Sequence, residues 1–166
     1  NPRVRLEAVR ALGKIPTADA AELALTVLDR PMDPFLDYAL WLTVNELAGP
    51  WLAAVKSGAW KIEGREKQLE FGVRAVEPAL AGDVLGQLVA SRVIPRDGAG
   101  PWIELIGSAG GMKELGRLFD PLVRGEFSEP AALRVLAALG DAARLREVKP
   151  DGDLAKLGPL LKANSG

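Results

Sequence analysis

The chain contains no cysteine and no histidine. Without Cys there is no disulfide, no zinc-thiolate site, no thiol nucleophile and no covalent c-type haem attachment. Without His the commonest general base and the commonest transition-metal ligand are missing, and no Ser-His-Asp triad can form around the few serines. Long hydrophobic runs are also lacking: nothing approaches the roughly 18 apolar residues that span a bilayer. No signal peptide is visible, since Asn1-Pro2 is expected already to begin an amphipathic helix. Excess charge of one sign is absent too. The 21 basic and 22 acidic residues leave a net charge of −1, which gives no general attraction to nucleic acid or an anionic membrane.

What is present favours helix. Leu and Ala dominate, β-branched residues are sparse, and 48% of the 166 residues are hydrophobic. The length suits a single domain over residues 1–166. The strongest helical signal is DPFLDYALWLTVNEL, residues 33–47, where Asp33 caps and Pro34 takes the first helical position. Leu36, Ala39, Leu40, Thr43 and Leu47 make one face. Phe35, Tyr38, Trp41 and Leu42 cover much of the remainder, so the helix is expected to have neighbours on both sides, with Trp41 in the core.

The rest of the chain reads as rougher copies of a helical hairpin. Residues 1–15 form a helix with Val4, Ala8, Ala11, Leu12 and Ile15 as its buried stripe and Asn1 as a cap, and Thr17 or Asp19 opens a second helix to about Asp29. Residues 33–47 and 50–56 form the second hairpin, and residues 57–64 a loop pinned by Trp60, with a small functional arm as the alternative. The third hairpin comprises residues 65–76, where Gly72 implies close packing, and residues 79–90. After a break at 94–101, residues 102–107 and 112–124 form the fourth, joined by the GSAGG turn, with Pro121 bending its second helix. Ser128 caps the fifth, residues 130–139, which Gly140-Asp141 turns back towards a helix over 154–163 that carries Leu154, Leu157 and Leu161.

Helix starts at Pro2, Pro34, Glu66, Pro101 and Pro130 recur at steps of 32, 32, 35 and 29 residues. Two helices with short turns fill such a period, the mark of an α-solenoid. NPRVRLEAVRALGKI resembles a HEAT repeat of the short bacterial kind through Pro2, Val4-Arg5, Ala8, Ala11-Leu12-Gly13 and Ile15. Pro130, Ala137-Ala138-Leu139-Gly140 and Asp141 match the same pattern. The expected fold is therefore an all-α, right-handed α-solenoid of about five HEAT-like hairpins. The order NPRVRLEAVRAL, RPMDPFLDYALWLT, PWLAAVKSG is similar to the HEAT segment of large exported bacterial proteins. There the segment lies between a sugar-dehydrogenase-like β-propeller and a c-type cytochrome domain. The resemblance implies an extracytoplasmic spacer or docking module, a fragment of a longer redox protein, and transfers no haem or dehydrogenase residue to this chain.

Candidate chemistry is thin. Asp33/Asp37 and Glu66/Glu70 share helix faces at i,i+4, but first-turn acids complement the helix dipole and no calcium loop accompanies them. GSAGGMK lacks phosphate-loop spacing and follows a helix. Trp51 and Trp102 follow prolines at helix starts and read as packing residues, which leaves Trp60 as the tryptophan open to exposure. Lys113, Arg117 and Arg124, four and seven apart, share one side of their helix and form the candidate binding patch, for an acidic neighbouring domain of the same parent chain. The expected role is a non-enzymatic scaffold or protein-interaction module with no catalytic residue, cofactor, metal, nucleic acid or membrane partner. The alternatives are a HEAT-like nucleic-acid-binding or base-repair domain, which needs a basic concave face, and a HEAT-like lyase.

Overall fold

The computed structural model describes residues 2–90 and 92–158. Among them are nine α-helices and two 3-10 segments, with no strand. The helices are α1 Pro2–Leu12, α2 Ala18–Leu25, α3 Pro34–Glu46, α4 Ala48–Ser57, α5 Glu66–Ala75, α6 Pro78–Ala90, α7 Trp102–Ala109, α8 Met112–Val123 and α9 Glu129–Leu145. The all-α expectation holds. No helix among the described residues is long and apolar enough to cross a membrane. Asn1, expected as a cap, and Leu161 lie outside the described residues. The chain divides into two compact units, Asn1–Gln87 and Leu88–Gly166, with the boundary inside α6.

In the first unit α1 with α2 and α3 with α4 touch as hairpins, α1 lies beside α3, α3 beside α5, and α2 beside α4. Helix entry follows local chemistry. Asp33 Oδ1 accepts from the amides of Phe35 (3.0 Å) and Leu36 (2.9 Å), and Thr17 Oγ1 accepts from Ala20 (3.2 Å), so orphan donors of the first turn are satisfied. Helix α1 stops at Leu12 rather than Ile15, because Gly13 and Pro16 break the ladder. Val4, Ala8, Ala11 and Ile15, expected inside, are exposed and Leu12 is half-buried: the buried residue of α1 is Val9, outside the expected stripe, on the side that meets α2 and α3. Leu47 alone separates α3 from α4, so α4 begins at Ala48, ahead of Pro50.

The 57–64 loop is a plug. Gly58 leaves α4 at φ 74°, and the Trp60 amide returns to the Ala54 carbonyl at 3.0 Å. Trp60 pins the loop as expected and is not the exposed tryptophan it could have been: it is buried against Trp51 in an edge-on pair with centroids 5.8 Å apart. Gly72 makes room for that pair: a Cβ there would stand 2.2 Å from the Trp51 ring. Arg65 covers Trp60 at 5.5 Å and pairs with Glu22 at 2.6 Å, which ties α5 to α2.

In the second unit α7 packs against α9 and α8, and α8 against α9. Gly107 sets the α7–α9 crossing, since a Cβ there would lie 2.7 Å from the Ala138 Cβ. Helix α9 runs unbroken through Gly140-Asp141, against the expected turn. Alanines and Leu139 around Gly140 are strong helix formers and outweigh its cost of about 1 kcal/mol. The turn falls instead at Glu147, at φ 57°. Helix α8 passes through Pro121 and ends two residues later at Val123. Beyond the KPDGD break, Leu154–Leu157 form a 3-10 turn where a longer helix was expected, and residues 159–163 of that expectation lie outside the described residues.

Candidate functional site

The basic trio lies on α8 as its spacing implies, but its members differ in circumstance. Arg117 is half-buried and donates to the carbonyls of Ala90 (3.3 Å) and Arg92 (2.7 Å), closing the C-terminal end of α6. Arg124 pairs with Glu126, which also pairs with Arg96 at 3.0 Å. Lys113 is exposed. Two of the three thus have acceptors within the chain, and the exposed positive charge of the patch centres on Lys113.

The acidic candidates take structural roles. Asp33 caps α3, Glu66 accepts from the Gly64 amide at 3.1 Å, and Glu70 lies 3.6 Å from Arg74. Glu114 reaches back to the Gly111 amide at 2.9 Å, so the GSAGG segment ends in a helix start closed by its own side chain. Among the described residues no group of three or more Asp and Glu converges as a metal site. The groups with displaced acidities also belong to the scaffold. The Arg134 fork, both arms at 2.8 Å, holds the Glu104 carboxyl below its ordinary range, although partial burial opposes this. Burial pulls the pKa of Arg146 below the ordinary arginine value, and its guanidinium donates to the carbonyls of Gly107 (2.7 Å) and Gly110 (2.9 Å) at the end of α7.

The feature that the sequence reading missed is on α3. Leu36, Ala39, Leu40 and Thr43 point inward as expected, but the opposite face is open. Phe35 is 77% exposed, Tyr38 62% and Trp41 43%, and Leu42 is also exposed. Trp41 is therefore a surface residue, because α3 has neighbours on its inner and lateral sides only. Tyr38 and Trp41 stack with rings 6.1 Å apart and 11° from parallel, giving a flat aromatic ledge. The signal was available: residues 35, 38 and 42 form a second stripe, two of the three aromatic, where the hydrophobic residues of the buried stripe are aliphatic.

On one side of this ledge lies a groove of about 810 Å³ between α1 and α3. Ala11, Ala39 and Thr43 line its base, and Phe35, Tyr38 and Leu42 its wall. The Thr43 hydroxyl donates to the Val9 carbonyl at 3.1 Å, so the base is closed and its polar group used. The rim is charged but neutral overall, with Arg10 paired to Glu7 (3.4 Å) and Lys14 to Glu46 (3.3 Å). On the other side a hollow of about 270 Å³ between α3 and α5 is lined by Trp41, Phe71, Asp37 and Arg74. A contiguous exposed apolar surface with a polar rim is the character of a protein-contact face. Comparison with protein-family models, with curated proteins and with solved structures finds no match for this chain.

Proposed function

We propose that the chain is a right-handed α-solenoid of HEAT-like hairpins that serves as a non-enzymatic scaffold and protein-interaction module, a docking segment within an exported redox protein. Two features support the architecture. First helices lie beside first helices (α1, α3, α5 in one unit, α7 and α9 in the other), and α2 lies beside α4. The observation that carries the interaction role is the exposed face of Phe35, Tyr38, Trp41 and Leu42. Complete burial of such a side chain is worth roughly 1.5–3 kcal/mol, and these residues, 41–77% exposed, leave part of it for a bound partner to recover. The lack of His and Cys in the sequence favours binding over catalysis.

The test is a photo-crosslinking residue placed at position 35 or 42 of the full-length protein in its own cells. The expected result is a covalent adduct between α3 and a protein surface. Adducts absent from α3 but abundant around Lys113 would move the interaction to α8, and adducts at neither place would remove the scaffold reading.

A further inference from the structure

Resting on the repeat reading, we propose that the outward side of α1 and α2 receives a further helical hairpin of the same repeat, carried by the parent chain and seated on them as they are seated on α3 and α4. The 32-residue step between the first helices carries the argument. On α3 it picks out Leu36, Leu40 and Thr43, and on α5 Gln68, Gly72 and Ala75, all of them buried. The hairpins before them do the covering. The Thr43 hydroxyl donates to the Val9 carbonyl of α1 at 3.1 Å, the Gln68 amide donates to Asp29 at 2.7 Å, and Gly72 lies against the Trp51 ring. One step earlier the same register falls on Val4, Ala8 and Ala11 of α1, and all three are exposed. Ile15 extends the series: it is 49% exposed, whereas Leu47, its counterpart after α3, is fully buried.

The chemistry of this side fits the same occupant. Between α1 and α2 lies a hollow of about 440 Å³ whose lining includes Ala8, Leu12, Ile15, Leu23 and Val27. Its polar side chains are engaged: the Thr26 hydroxyl donates to the Leu23 carbonyl at 2.7 Å, and Arg5 donates to the Pro31 carbonyl at 2.9 Å. Such a floor offers nothing directional to a polar ligand and matches the aliphatic stripe of an amphipathic helix. Unlike the α3 ledge, neither helix carries an aromatic ring. The exposed aliphatic residues belong to both helices, with Leu23 of α2 57% exposed, so the covering element must reach both. A hairpin does this, as α3 lies on α1 and α4 on α2 at the inner side.

A photo-crosslinking residue at position 4 of the full-length protein should form its adduct within the same polypeptide, on a helical hairpin ahead of residue 1, as read by mass spectrometry of the digested protein. Val4→Glu, at a position exposed in the present chain, should leave helix content unchanged while speeding amide exchange in α1 of the full-length protein by about tenfold or more. No adduct, an adduct to a second copy or to another protein, or α1 exchange indifferent to Val4→Glu would each overturn the proposal and leave the order α1, α3, α5 standing. An adduct to the second unit would overturn the repeat reading as well, because an open array does not cover its own first hairpin.

Discussion

Every exposed aromatic side chain among the described residues belongs to the first unit, whereas the second unit keeps Trp102, Phe119 and Phe127 inside. The difference comes from what arginine does in each. In the second unit Arg92 lies over Trp102 at 4.9 Å and Arg96 over Phe127 at 5.2 Å, so the open ring faces are covered by guanidinium groups. Arg117, Arg134 and Arg146 each donate to backbone carbonyls that helix ends or loops leave unpaired. The second unit is closed by its own cations. The first unit uses this device at Trp60 through Arg65, but leaves the α3 ledge bare. The bare α3 face beside covered rings is the contrast on which the proposed interaction role rests.

The comparison breaks most easily at the centre of the first unit. Trp51 is fully buried, packs on Trp60 and fills the space above Gly72. Trp51→Ala should cost about 3–5 kcal/mol in urea unfolding. Hydrogen exchange resolved by residue should show the loss in α2, α4 and α5. Equal loss in α7 and α9 would show that the units do not differ in how their cores are held.

Glycine substitutions sharpen the contrast at a smaller scale. Gly72→Ala introduces a Cβ at 2.2 Å from a buried ring, so it should destabilise by about 1–3 kcal/mol despite the better helix propensity of Ala. Gly140→Ala in α9 has no atom within 4 Å of the new Cβ and should stabilise by about 0.5–1 kcal/mol. Thermal melts of the two variants should therefore move in opposite directions. Shifts of the same sign would mean that local helix propensity, not packing, governs both sites.

Helices were legible where punctuation and periodicity agree. Asp33-Pro34 marks the start of α3, Pro78 that of α6, and the Pro-Gly-rich 94–101 segment separates α6 from α7. Gly72 was legible as a close approach because a glycine inside a helix needs a reason. Gly140-Asp141 misled, since the same dipeptide reads as a turn when isolated and as helix when alanines flank it. Trp41 misled for a different cause. Hydrophobicity around a helix reports what it can bury, whereas burial depends on how many neighbours arrive, and periodicity does not encode that number. The basic trio was legible as one helix face. Its engagement was not, because Arg117 reaches carbonyls at Ala90 and Arg92, 27 and 25 residues away in sequence.

The smallest effect concerns the Glu104–Arg134 fork, which joins α7 to α9 in the second unit. Both partners are about two-fifths exposed, so solvent limits the pair to roughly 0.5–1 kcal/mol. Its pH dependence is nevertheless directional. The Glu104 carboxyl is held below its ordinary range, chiefly by hydrogen bonds from Arg134. The folded state therefore releases this proton more readily than the unfolded chain. The stabilisation is complete above the unfolded carboxyl range and is lost as pH falls through the lower, folded value. Glu104→Gln should be less stable than the native chain near neutral pH, and the gap should close on acidification. Arg134→Lys should lose part of the gap even at neutral pH, because lysine keeps the charge but not the fork or the third bond to the Gly98 carbonyl. A gap that stays constant between neutral and strongly acidic conditions would assign the role of Glu104 to packing. The arginine clamps of the second unit would then act through their bonds to backbone carbonyls, with no share from this carboxylate.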